Sequence, residues 1–123
     1  MSHLRRLPDA ELEVMQAVWA YEPPVSRHQI ETILKHRPMA LTTLLTLLTR
    51  LADRGFLTVE KIGRSNYYTP IVSQEDYLSS QSRQFVRKVC GGSMSAFASA
   101  LCNSGLTKEE LTELRDLLER DAL

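Results

Sequence analysis

Cysteine is scarce in this 123-residue chain, which has two, Cys90 and Cys102. They are too few for a disulfide framework and are not spaced as a metal site. Two reduced, partly buried thiols that serve packing are the expected state. No apolar run approaches the roughly 20 residues a membrane span needs. The opening Met-Ser-His-Leu-Arg-Arg-Leu-Pro-Asp lacks the apolar core of a signal peptide, so the cytoplasm is the expected location. Charge of either sign is not in excess: 15 Lys and Arg stand against 15 Asp and Glu. That removes the overall basic surplus common in nucleic-acid binders. The sequence also has no Gly-rich phosphate loop and no Ser/His/Asp, Cys/His or paired-carboxylate set. His28 and His36 have no Cys or His at metal-ligand spacing and read as surface residues. The chain is therefore expected to be no enzyme and to hold no metal or cofactor.

What it does have is apolar content and pattern. At 43% hydrophobic residues it can bury a core. The most informative stretch is Leu41 to Gly55. At about 100° per residue, Leu44, Leu47, Leu48 and Leu51 fall on one side of a helix. Thr42, Thr43, Thr46, Thr49 and Arg50 fall on the other. Threonine is a poor filler for an exposed helix face, because β-branching lowers helix propensity. Its repeated use argues for a face that docks closely on another surface and offers hydrogen bonds. Gly55 stops the helix. Two β-prone runs follow, Leu57 to Lys61 and Asn66 to Thr69, joined by Ile62-Gly63-Arg64-Ser65. They read as a hairpin with a basic tip.

Upstream, a helix from about Asp9 to Tyr21 carries Leu12, Met15 and Trp19 on one face, with Val14 and Val18 nearly opposite. A helix apolar on two sides is sandwiched between other elements. Trp19 belongs to the core. Pro23-Pro24 ends that helix, and Ser26-Arg27-His28-Gln29 is a capping box opening a second one to about His36. Pro38 forces a break before the third. Three helices followed by a two-stranded ribbon make a winged helix-turn-helix head over residues 1–72. The basic excess, though small, lies in this half. Residues 1–72 hold nine Lys or Arg against seven Asp or Glu, and residues 73–123 hold six against eight.

The remainder, 73–123, reads as a helical arm. Ser73 caps a helix from about Gln74 to Cys90 whose apolar stripe is Leu78, Phe85 and Val89, with Tyr77 and Val86 flanking. Gly91-Gly92 breaks it, and a short apolar helix runs from Ser93 to Cys102. Thr107-Lys108-Glu109-Glu110 is a second capping box, opening a last helix with Leu111, Leu114, Leu117 and Leu118 on one side. The fold class expected is mainly α with a small β-hairpin: the winged head plus a C-terminal dimerisation arm. Tyr77, Leu78, Phe85, Val89, Leu111, Leu114, Leu117 and Leu118 are the candidate dimerisation residues, because the head has enough apolar residues to close its own core.

Several of these elements, in order and spacing, resemble one family over about Leu7 to Leu118. The marks are Leu7-x-x-x-Glu11-x-x-x-Met15-x-x-x-Trp19, then Thr42-Thr43-Leu44-x-Thr46-Leu47-Leu48-x-Arg50-Leu51. Arg54-Gly55-Phe56-Leu57, Gly63-Arg64 and Tyr68-Thr69-Pro70 continue through the wing. Ser73-x-Glu75-x-Tyr77 and Phe85 through Gly91-Gly92-Ser93 mark the arm. The chain resembles the penicillinase repressor (BlaI/MecI/CopY) family of bacterial transcription regulators. The resemblance implies a homodimer that binds a palindromic double-stranded DNA operator and represses transcription. It places Thr42, Thr43, Thr46 and Arg50 in the major groove, beside Thr49 on the same face, and sets Lys61 and Arg64 of the wing on backbone or minor groove. The chain departs from the family pattern at Leu45, where a lysine or other polar residue is common, and at Pro8, where a capping threonine is usual. It has neither the Asn-Phe bond at which the best-known members are cleaved nor the Cys-x-Cys motifs of the copper-responsive branch. A membrane sensor, as a partner, is thus expected to act only indirectly. The competing function is a winged-helix module that binds protein rather than specific DNA, an alternative that the zero net charge and Leu45 keep open.

Overall fold

Helix α1 (Asp9–Trp19) buries Val14, Met15, Ala17 and Val18 completely, so it is enclosed on more than one side. In the computed structural model, which describes residues 4–121, it packs against helix α2 (Arg27–Ile33), helix α3 (Leu41–Asp53) and strand β3 (Ser65–Pro70). This is the sandwiched position its two apolar sides require. Trp19 is partly buried against the core, and its indole N–H donates to the Val72 carbonyl at 2.9 Å.

The start of α2 is the expected capping box. The Gln29 N–H donates to Ser26 Oγ at 3.1 Å, and the Ser26 N–H donates to Gln29 Oε1 at 3.0 Å. The helix is shorter than the sequence suggested, because Leu34–His36 tightens into a 3₁₀ turn. Pro38 disfavours helical backbone at the residue before it, and Arg37 is accordingly at φ −141°, ψ 68°. Ser26→Ala should cost about 1 kcal/mol. Thermal unfolding followed by circular dichroism should show a midpoint lower by several degrees; an unchanged midpoint would mean that the box does not hold α2.

Helix α3 buries Leu44, Leu47, Leu48 and Leu51, the stripe read from the sequence. Its end is closed by two backbone bonds, Gly55 N–H to Ala52 O at 3.1 Å and Phe56 N–H to Leu51 O at 2.9 Å. That pairing is a Schellman motif, which needs a left-handed residue past the helix end. Gly55 supplies it at φ +82°. Phe56 then turns back into the core beside Leu51.

The hairpin consists of strand β2 (Leu57–Ile62) and β3, paired antiparallel from Leu57↔Pro70 to Ile62↔Ser65. The expected two-stranded ribbon is in fact a three-stranded sheet, ordered β1-β3-β2. The added strand, β1 (Val25–Ser26), pairs with Tyr68 and Tyr67. Two residues behind a Pro-Pro breaker give no alternating pattern to read.

Helix α4 (Gln74–Lys88) starts under Ser73, whose Oγ accepts the Asp76 N–H at 3.0 Å. Its first turns belong to the head, a correction to the boundary at residue 72. Two compact units divide at Gln81 and Ser82. Tyr77, placed with the dimerisation residues on sequence grounds, is a buried core residue of the head. Its ring lies 5.9 Å from both Trp19 and Phe56, and its hydroxyl accepts the Leu7 N–H at 2.8 Å. Ser80 Oγ accepts the Leu4 N–H at 3.0 Å, and Gln81 Nε2 donates to the Leu4 carbonyl at 3.0 Å. The N-terminal segment therefore ties two turns of α4 to the head. A stripe projection reads spacing, and it does not reveal that the backbone and buried side chains of Leu4 and Leu7, some 70 residues upstream, complete the packing.

The second unit holds the rest of α4, helix α5 (Met94–Cys102) and helix α6 (Lys108–Asp121). Ser93 Oγ caps α5 through the Ala96 N–H, and Thr107 with Glu110 forms the expected reciprocal box on α6. Phe85 and Phe97 meet edge to face with centroids 6.0 Å apart. Leu111 and Leu114 are half-buried, while Phe85, Val89, Leu117 and Leu118 are exposed. Cys90 is half-buried, but Cys102, expected to be partly buried, is exposed at the end of α5. The inner side of that helix is taken by Phe97 and Leu101, four residues apart. Among the described residues, no helix is long and apolar enough to cross a membrane.

Candidate nucleic-acid interface

With its leucine stripe sunk in the core, α3 presents Thr42, Thr43, Thr46, Thr49 and Arg50 to solvent. Thr42, Thr43, Thr46 and Arg50 share one shallow surface depression of about 270 Å³. Thr49 lies on the same exposed face. Two of the hydroxyls are already engaged: Thr46 Oγ1 donates to the Thr42 carbonyl and Thr49 Oγ1 to the Leu45 carbonyl, each at 2.9 Å. Such back-bonding spends the hydroxyl proton on the helix and leaves the oxygen as an acceptor.

Lys61 and Arg64 line a second, deeper groove of about 510 Å³ between the hairpin, α3 and the start of α2. Its walls include Arg27, His28, Leu45 and Asn66. Lys61 lies opposite Asn66 in the β2–β3 register, and Gly63 at φ +64° makes the tight turn that leaves Arg64 at the tip. Tyr68 forms the floor. Burial pushes its phenol above the ordinary value, against opposing pulls from an Asn66 hydrogen bond and the Arg27 charge, so at physiological pH it is a neutral hydroxyl.

Sequence reasoning found the α3 face and the wing tip, and it missed Arg27 and His28 as their neighbours. The short β1 pairing brings them there, since Ser26 opposite Tyr67 sets the next residues beside the wing. It also missed what holds the far end of α3. Arg54 Nη1 bonds the Glu11 carboxylate, which is 3% exposed and sits in the first turn of α1. The Glu11 and Arg54 marks of the sequence pattern are thus two halves of one contact between helices. Leu78, on the head's share of α4, and the arm residues Phe85, Val89, Leu117 and Leu118 remain exposed apolar surface.

A family model described as penicillinase repressor matches residues 7–120. The chain is similar to a penicillinase repressor of Bacillus licheniformis, 32% identical over 120 residues, which cover 97% of this chain and 94% of that protein. It is 30% identical over 115 residues to the methicillin resistance regulatory protein MecI of Mammaliicoccus sciuri, covering 93% of this chain and 94% of the relative. Among solved structures, the Bacillus licheniformis BlaI monomeric form in complex with the blaP half-operator matches with a TM-score of 0.52 and 32% identity, covering 63% of this chain and 94% of that one.

Proposed function

This chain belongs to the penicillinase repressor family, and from that premise we propose that it is a transcriptional repressor that binds double-stranded DNA. Its winged helix-turn-helix head reads a palindromic operator in the cytoplasm, and a homodimer places two heads on the two half-sites. The observation that carries this reading is the pairing of an exposed hydroxyl-rich face on α3 with a flanking groove that gathers Arg27, Lys61 and Arg64. Recognition needs both kinds of surface: phosphate contacts set position and base-edge contacts set sequence. Local clustering offsets the absence of net charge, because counterion release counts the cations that meet phosphates, not the total. The match to a relative solved on a half-operator supports the same reading. The chain has no Asn-Phe bond and no Cys-x-Cys motif, so a membrane sensor would act on it indirectly.

A gel shift with the promoter of its own operon tests this. Arg50→Ala and Thr46→Ala should each weaken operator binding by roughly 1–3 kcal/mol and leave the fold intact. Arg64→Ala should weaken operator and unrelated DNA about equally and flatten the salt dependence by roughly one phosphate contact. Operator affinity unchanged by Arg50→Ala would remove α3 as the reader and favour a protein-binding module.

A further inference from the structure

Two of the hydroxyls on the exposed face of helix α3 have no proton to offer an approaching duplex. The protons of Thr46 and Thr49 are turned onto the carbonyls of Thr42 and Leu45, which leaves acceptor oxygens and methyl groups outward. On the same outer arc stands Leu45, 37% exposed, where a polar side chain would suit a solvent-facing site. Leu45 also lines the groove that collects Arg27, His28, Lys61 and Arg64. A phosphate strand held by Arg27, Lys61 and Arg64 would lay the adjacent base edges across the leucine.

We propose that Leu45 is a specificity-determining residue: its branched side chain packs on the 5-methyl group of a thymine in the major groove, and the operator requires thymine at that position. This rests on the DNA-reading function proposed above. The thymine methyl is the apolar group that a base pair shows in the major groove. Cytosine carries only hydrogen there, so it offers Leu45 less apolar contact. Guanine presents two acceptors, and a leucine pressed over them strips water and returns no hydrogen bond. One contact thus selects thymine by attraction and rejects guanine by an unpaid desolvation.

The test uses the full chain and duplexes selected from a random library. Each thymine of the selected sequence is replaced singly by deoxyuridine, which removes the methyl and nothing else. At one symmetry-related pair of positions the parent should bind about fourfold more weakly per methyl lost, the worth of one buried CH₂-sized group. Leu45→Ala should bind the thymine and deoxyuridine forms equally, with a circular dichroism melt like the parent's because the site is at the surface. Leu45→Lys, put through the same selection, should recover guanine at that position, since lysine donates to its acceptors. If every deoxyuridine form binds the parent equally, or if the loss persists in Leu45→Ala, this assignment is overturned while sequence-specific DNA binding stands. If no sequence is enriched at all, the DNA-reading function falls with it.

Discussion

Arg54→Ala should destabilise the head by about 3 kcal/mol, more than any change to its DNA-facing residues. The Glu11 carboxylate is 3% exposed, and Arg54 is its ion-pair partner among the described residues. Removing one member of a buried pair leaves an uncompensated charge out of water, which typically costs 3–5 kcal/mol. The Arg54 side chain is 37% exposed, so water admitted in its place holds the loss near the lower end. Replacing both residues with apolar ones of similar size, Glu11→Leu with Arg54→Met, should recover most of the stability, because no buried charge is then orphaned. Urea denaturation of the parent, both single variants and the double variant gives the coupling directly. A loss below about 0.5 kcal/mol for Arg54→Ala would show that α1 and α3 are held by the leucine core alone.

That ion pair also shows where sequence reading runs out. The α3 stripe was legible because period and burial coincide: Leu44, Leu47, Leu48 and Leu51 are spaced as one face and are buried as one face. The caps were legible because Ser26 with Gln29 and Thr107 with Glu110 act within a single turn. The wing was legible as two β-prone runs around a glycine turn. Contacts between distant polar residues leave no such trace. Glu11 lies in the first turn of a helix, where acidic residues are common for the dipole alone, so its burial was invisible. Strand β1 was too short to carry a period, and it hid the approach of Arg27 and His28 to the wing. Tyr77 sat beside the arm's apolar stripe, yet the hydroxyl that binds the Leu7 N–H and the ring between Trp19 and Phe56 assign it to the head. The candidate site was therefore readable on α3 and at the wing tip, where the residues project locally. Its rim was unreadable, because tertiary pairing builds it.

Charging the exposed apolar surface of the arm should split the proposed dimer. Phe85 is 44% and Leu118 57% exposed, more than the arm's own helices account for. In a two-fold pair each substitution is made twice. Four side chains at about 1.5–3 kcal/mol each give roughly 6–12 kcal/mol, or at least about four orders of magnitude in the dimer dissociation constant. Phe85→Asp with Leu118→Asp should thus run as a monomer in light scattering at concentrations where the parent is paired. Operator affinity should fall by about 10²–10⁴, the loss expected when two linked heads become independent. Binding of one head to a half-site duplex should be unchanged, which separates lost avidity from a damaged fold. The matching truncation has to end at Gln81, not Val72, because a cut at Val72 strips Tyr77 and Ser80 from the head and unfolding would be mistaken for dissociation. A fragment ending at Gln81 should be a folded monomer. If that fragment still dimerises, the interface lies on the head, and the exposed leucines of α6 need another explanation.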